Sequence, residues 1–369
     1  MGVQESTRIE EIVRHLRDRL NGDGRAYAER FVRQFYDRVP PEDLTGTDTD
    51  RLYAMALSFW RFGAERKTGT ITIRAFNPTL EEHGWTSAHS VIEIVNDDMP
   101  FLLDSLLGEL TQRGLGVHVI IHPVLALKRD STGTVTGLLE SGAGSGALAE
   151  SWMHIQIDAR SNEKACREIT DAIESVFGDV RSAVDDWRPM LAKLEVAVAE
   201  LNVLHDDVSE HDFAEARAFI EWIGDDHFVF MGYREYAYDK TAEDPFRFVE
   251  GSGLGILTNP KLHVLRGAGG TGTSPAARGF LESVYQPLMI TKTSTRSVVH
   301  RAGHMDYLGV KRFNVSGELV GEHRFVGLFS SAAYNRSPRA IPLLRRKVMV
   351  TLERAGLSPV SHDGKALIS

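Results

Sequence analysis

An α+β protein of more than one domain is predicted, and three observations carry the prediction. Between residues 70 and 180 the hydrophobic pattern alternates between the two-residue period of strands and the 3.6-residue period of helices. Residues 181–225 then read as helix alone, and residues 226–340 are rich in β-branched and aromatic residues in short alternating runs. A chain of 369 residues has room for two or three such domains.

The elements follow in chain order. Residues 1–69 form a helical lead-in, whose first helical stretch ends at Pro40-Pro41, because the second proline forbids helical continuation of the first. Alternation of Ile71, Ile73 and Ala75 with Thr70, Thr72 and Arg74 marks a half-buried strand. The clearest unit begins at Ser90: an apolar strand over 90–97, a helix, and a strand over GVHVIIHPVLALK. Asp98 is expected to cap that helix, with Pro100 in its first turn, Leu103, Leu106, Leu107 and Leu110 on its buried face, and Gly114 at its end. After a Gly/Ser/Thr-rich loop, Met153, Ile155 and Ile157 alternate inward as a third strand. A second helix places Cys166, Ile169, Ile173 and Phe177 on one side and is expected to stop at Gly178.

Strand, helix, strand, strand, helix is the order of a ferredoxin-like sandwich over residues 70–180, with helices on one face of the sheet. No closing strand is evident after Gly178, so the strand at 70–75 is the candidate to complete the sheet from the other end of the chain.

Val184, Trp187, Leu191, Leu194, Val198 and Leu201 repeat at spacings of three and four, a short heptad seam expected to pack within the chain rather than between chains. Ser209 and Asp212 resemble a capping box for a helix carrying Phe213, Ala216, Ile220 and Ile223. These helices form a linker over 181–225. Beyond it, FVFMGYREYAY, PLMITKT, DYLGVKRFNV and VGEHRFVGLFSS are strands of a mostly antiparallel domain over 226–340, interrupted by a loop from Arg266 to Ala277. A last helix begins near Pro342 and stacks Leu344, Val348 and Leu352. The run from Asp363 reads as a cap and one turn of a further helix, too short to be stable alone, so the natural polypeptide is expected to continue past residue 369.

Composition excludes several function classes. Net charge −9 and pI near 5.9 argue against a protein that neutralises phosphate backbones, so no nucleic-acid partner is expected. A single cysteine excludes an internal disulfide framework and fits a reducing, cytoplasmic setting. Neither a secretory signal nor an apolar run of spanning length occurs, so no membrane association is expected. The loose acylation match through Gly2 and Ser6 is read as chance.

Candidate chemistry is sparse. Gly142, Gly144 and Ala147 satisfy a relaxed dinucleotide fingerprint, but a strand follows where a helix must receive the pyrophosphate, so a hairpin loop is the better reading. Gly253 and Gly255 lack the strand–turn–helix setting too. No histidine spacing suits a metal, and Cys166 lies on an apolar helix face as a packed thiol. Lys292, Arg296, His300, Arg301, Lys311 and Arg312 would be spread over both strand faces, as a solvated or interface surface rather than a pocket.

VIEIVNDDMPFLLDSLLGEL, WMHIQID, EWIGDDHFVFMGYREY, GSGLGIL, LMITKTSTRSVVHR and the long run from Asp306 to Val348 together resemble the large NAD-specific glutamate dehydrogenases of bacteria. The resemblance covers the chain from about residue 85 to its end. It implies an ACT-type domain over 70–180 and a PAS-like domain in the β-rich region, forming an N-terminal regulatory part. Catalytic and NAD-binding residues would then lie downstream, so no catalytic residue is carried onto this chain and NAD would be used by the missing catalytic domain. It also implies the downstream helical and catalytic domains as partners, a homo-oligomer, and an amino-acid effector near the turn Asn96, Asp97 and Asp98, where helix amides favour a carboxylate. Helix capping is the competing reading of that turn. The family pattern has glycine after the proline where this chain has Phe101, which would crowd a ligand. A free-standing sensor built from ACT and PAS-like domains, or a purely architectural segment, stays open as an alternative.

Overall fold

A computed structural model describes residues 3–20, 25–139, 146–201, 210–242, 245–262, 264–265, 279, 286–358 and 360–362. The dinucleotide-like pair Gly142 and Gly144, the cap residue Ser209, the loop from Arg266 to Ala277 and the run from Asp363 lie outside them; for Ser6 and Asp212 only the backbone is described. The chain divides into two units, Met1–Phe177 and Gly178–Ser369.

The first unit opens with helices α1 (Val3–Arg19), α2 (Arg25–Tyr36), α3 (Pro41–Thr45) and α4 (Thr49–Gly63). They precede β1 (Thr72–Phe76), α5 (Leu80–His83), β2 (Ser90–Asp97) and α6 (Leu102–Gln112). Then come β3 (Val117–Ile121), β4 (Val124–Arg129), the short β5 (Val135–Leu138), β6 (Leu148–Ile157) and α7 (Glu163–Asp185). The sheet is antiparallel in the order β1-β2-β6-β4-β5, with β3 also on β6. The expected strand over 116–128 is thus β3 and β4 in one register, parted at His122-Pro123, where proline has no N–H to give the ladder.

The fourth strand enters from upstream. β1 pairs antiparallel with β2, Thr72 opposite Val95 and Phe76 opposite Val91, and completes the four-stranded core of a split β-α-β sheet. Helices cover more than one face. Val91, Val95, Leu125 and Trp152 pack with Ile12, Val13 and Leu16 of α1, Phe31 and Phe35 of α2, and Met55 and Phe59 of α4. Ile92, Ile94, Met153, Ile155 and Ile157 point the other way and are equally buried, as are Leu102, Leu106 and Leu110 of α6 and Ile169 and Ile173 of α7. Three sequence expectations shift. The buried stripe of α6 runs through Leu102, Leu106 and Leu110 rather than Leu103 and Leu107. Asp98 is not its cap, because α6 starts at Leu102 with Phe101 at the N-cap. Gly178 does not end α7: it lacks the positive φ of a C-cap glycine, and burial of Val180 and Ala183 carries the helix on to Asp185.

The second unit contains α8 (Trp187–Glu200), α9 (Glu210–Trp222), β7 (Phe228–Tyr238), β8 (Phe246–Phe248), β9 (Leu254–Gly255) and β10 (Leu288–Ser297). β11 (Gly303–Phe313), β12 (Leu319–Phe329), α10 (Ser331–Tyr334) and α11 (Leu344–Arg354) follow. Its sheet is also antiparallel, in the order β10-β11-β12-β7-β8 with β9 on β7. Met190, Leu194, Ala197 and Leu201 of the α8 region and Phe213, Phe219 and Ile220 of α9 pack against Tyr233, Leu308, Val310 and Phe325 on one sheet face. The heptad seam is therefore used within the chain. It is cut at Asp186, between α7 and α8, which leaves Trp187 44% exposed and substitutes Met190 and Ala197 for two seam positions.

Candidate functional site

The turn after β2 is built around a buried ionic network. Glu150 of β6 pairs across the sheet with Asp97, and both carboxylates meet Arg66 from the segment after α4: Nη2 donates to Asp97 Oδ1 at 2.7 Å and to Glu150 Oε1 at 2.8 Å. Arg129 forks onto Glu150 with Nε to Oε1 at 2.6 Å and Nη2 to Oε2 at 2.7 Å. Trp152 Nε1 adds a third donor at 3.2 Å, and Gly69 N–H donates to Asp97 Oδ2 at 3.0 Å. The remaining Arg129 donors reach the carbonyls of Gly63, Ala64 and Gly133.

Two guanidinium and two carboxylate groups balance. Burial alone would raise the Glu150 carboxyl, but hydrogen bonds from Arg129 and Arg66 outweigh it and hold its pKa below the ordinary value. Arg66 is likewise opposed by burial and held above its ordinary value by bonds to Glu150 and Asp97. Removing one partner would leave an uncompensated charge in the interior, at a cost of about 3–5 kcal/mol.

The three predicted effector residues have separate environments. Asn96 is 2% exposed, and its Nδ2 donates to the Asp97 carbonyl at 3.0 Å. Asp97 is in the network. Asp98 is the exposed member: its N–H donates to the Ala149 carbonyl at 2.9 Å, and desolvation pushes its carboxyl upward against the opposing pull of His122. His122 is lowered by desolvation, with Asp98 pulling the other way, and its Nε2 lies 2.5 Å from Ser151 Oγ.

Phe101 takes the left-handed φ of +73°, so the position at which the resembling family has glycine is a backbone position that glycine suits. Sequence reasoning attached that glycine to ligand access, whereas the local geometry already asks for it. Arg66, Arg129, Glu150, His122 and Ser151 were missed. Their one available signal was a glutamate in a strand that the flanking apolar residues bury, since a buried carboxylate implies a partner elsewhere.

The second unit buries charge differently. Tyr307, Gly309 and Lys311 of β11 share a sheet face with Glu322 and Arg324 of β12 and Arg234 and Tyr236 of β7. Arg234 gives hydrogen bonds to the carbonyls of Leu257, Asn259 and Leu262. Glu322 accepts from the Tyr307 hydroxyl and from Arg324 Nη2, and Arg324 stacks over the Tyr236 ring at 3.6 Å. A side chain at Gly309 would collide with the Tyr307–Glu322 pair.

Lys311 is 1% exposed, and burial pushes its ammonium down to about 8 against the pull of Glu322. It is therefore no part of a solvated basic surface. On the opposite face Arg312 pairs with Glu200 and Glu235, so alternate strand positions separate the basic group as expected. Gly253 and Gly255 serve close backbone packing, Gly255 at φ +58° with its N–H donating to Asp186 Oδ2 at 2.7 Å. Cys166 is buried, and desolvation raises its thiol. Among the described residues no group of three His, Cys, Asp or Glu side chains could hold a metal ion, and no helix is long and apolar enough to cross a membrane.

The split β-α-β sheet defines an ACT-type unit, and residues 31–173 match the family model described as glutamate dehydrogenase, ACT1 domain; residues 341–369 match glutamate dehydrogenase, helical motif 1. Relatives named NAD-specific glutamate dehydrogenase align along the chain. That of Halomonas elongata is 34% identical over 99% of this chain, and that of Pseudomonas aeruginosa 32% identical over 91%. A third, from Mycobacterium tuberculosis, is 27% identical over 85%. The chain is thus similar to NAD-specific glutamate dehydrogenases along nearly its whole length. It spans 23%, 21% and 18% of the length of these three relatives.

Proposed function

We propose that this chain is the regulatory and assembly segment of a cytoplasmic, homo-oligomeric enzyme that oxidises L-glutamate with NAD and water to 2-oxoglutarate, ammonium and NADH. The observation that carries the reading is the mismatch of coverage: 99% of this chain aligns with 23% of a relative bearing that name. Hydride transfer needs a nicotinamide held against the substrate. That machinery is assigned to the downstream helical and catalytic domains, which are the partners of this segment. Purified chain supplied with glutamate and NAD is expected to form no NADH above background; steady formation that copurifies with the chain would overturn the assignment.

The β-rich unit is read as PAS-like. Support comes from its strand order, in which the first strand, β7, lies in the interior of the sheet between the last strand, β12, and β8. The Asn96–Asp98 turn is read as a weak effector site at most. Asp97 is already neutralised by Arg66, so charge repulsion against a ligand carboxylate falls on Asp98 alone, and a benzyl side chain at Phe101 stands at the position where the resembling family has glycine. Calorimetric titration with each common amino acid is expected to give no micromolar binding. Micromolar binding that Asp98→Ala changes would make the turn an effector site. A free-standing sensor is the rival reading, and a stop codon directly after Ser369 in the gene would favour it.

A further inference from the structure

The chain enters α11 through a backbone conformation that its sequence does not favour. Leu343, directly before the helix, has φ +64° and ψ −45°, and Leu344 N–H donates to the Pro342 carbonyl at 2.8 Å. That is a three-residue γ-turn of the rare hand, strained for any residue with a β-carbon, and here the residue is leucine rather than glycine. Such a conformation persists only where its surroundings over-determine it. Three contacts do so. The side chains of Ile341 and Leu343 pack on the core shared by α8, α9 and the sheet. Glu215 of α9, 6% exposed, accepts the Leu343 N–H at 2.9 Å. The same carboxylate receives Arg345 Nε at 3.0 Å and Nη2 at 2.5 Å, so one buried group from α9 grips both sides of the turn.

Past this turn the hold weakens. The Arg345 side chain is itself 44% exposed, and Leu352 is the buried residue of α11. The match to helical motif 1 begins at residue 341, so the strained turn stands where that motif starts. We propose that residues 342–345 are a sprung joint that couples α9 to α11. With Glu215 engaged, Leu343 stays left-handed and α11 keeps one direction. With Glu215 drawn away, Leu343 relaxes to an ordinary φ and α11 turns about the joint as a rigid rod. A hinge needs only a few residues that absorb a change of φ and ψ, and a strained one biases it toward opening whenever the grip weakens.

The test uses the full 369-residue chain with nitroxides on two introduced cysteines, Arg188→Cys of α8 and Glu353→Cys of α11, both exposed positions; the native Cys166 is buried. Pulsed electron resonance should give one narrow distance in this parent. Glu215→Ala should add a second, displaced population. Arg345→Ala truncates a half-exposed side chain and leaves folding intact, so it should show the same population even where Glu215→Ala does not fold. Leu343→Gly and Leu343→Ala lose nearly the same packing and differ in their tolerance of a left-handed φ. The ratio of held to displaced molecules should therefore be higher in the glycine variant by roughly fivefold or more. A broad distribution in the parent, a single unmoved distance in both Arg345→Ala and Leu343→Ala, or equal ratios in the glycine and alanine variants would overturn the proposal.

Discussion

The two units bury ionic groups in opposite ways. In the first, Arg66 and Arg129 face Asp97 and Glu150, so the charges cancel and each carboxylate has several donors. In the second, Arg234, Lys311 and Arg324 share a sheet face with Glu322, and among the described residues backbone carbonyls and an aromatic face serve Arg234 and Arg324. A balanced network locks one arrangement and resists change over a wide pH range. An unbalanced one leaves a group, Lys311, whose charge is held at a cost and is given up near pH 8.

The largest effect is expected from breaking the balanced set. Glu150→Ala should destabilise the first unit by about 3–5 kcal/mol, because it leaves the buried Arg129 guanidinium without its carboxylate and takes from Arg66 one of two. Chemical denaturation with a tryptophan signal from Trp152 would measure it, and a loss below about 1 kcal/mol would show that water or rearrangement replaces the carboxylate. The pH window follows from the direction of the shift. Glu150 is lowered in the folded state, so its contribution is complete above the unfolded value near 4.3 and is lost as pH falls through the lower folded value. Stability should fall in that acid range in the parent chain and less steeply in Glu150→Gln.

Next in size is Leu194→Asp in the second unit. Leu194 is 4% exposed and packs with α9 and the sheet, so a carboxylate there should cost about 3 kcal/mol or more and lower the melting temperature. An unchanged melting temperature with altered mass would show that the seam lies between chains.

Lys311→Met should act in the opposite direction. A lysine lowered in the folded state opposes folding fully below its folded pKa, near 8, and the penalty is relieved as pH rises toward the unfolded value near 10.4. The variant should be more stable than the parent by about 1–2 kcal/mol at pH 7, discounted from the full shift, and the difference should shrink by pH 10. A pH-independent difference would remove the contrast between the units.

The smallest effect is expected at Phe101. Phe101→Gly relieves a left-handed φ but gives up half-buried apolar surface, so the net change should stay within about 1 kcal/mol. Phe101→Ala, which loses the surface and keeps the strain, should be the less stable of the two.

Periodicity carried much of the fold. The apolar run at 90–97, the alternation at Met153, Ile155 and Ile157 and the spacing of Ile169 and Ile173 are local signals, and each became the element read from it. The second helical layer was not legible, because nothing in α1, α2 or α4 says which sheet face their apolar stripes will meet. β5 was hidden in a glycine-rich loop reading; its four residues are a strand only because β4 lies beside them. Spacing could find Asn96, Asp97 and Asp98 as a turn, but not Arg66, which reaches Asp97 from 31 positions upstream. Partnership at that separation is a property of the sheet, not of any window of sequence.

The upstream origin of β1 has a consequence for synthesis on the ribosome. In the usual βαββαβ order the edge strand emerges last, after the second helix, and the sheet must wait for it. Here the edge strand is already waiting when β2 appears, and every described strand of the sheet is present once β6 has emerged at Ile157. The first unit can thus close its hydrogen-bonded edge before most of the second unit has been translated. That order shortens the interval in which β2, apolar on both faces, stands without a neighbour and open to aggregation.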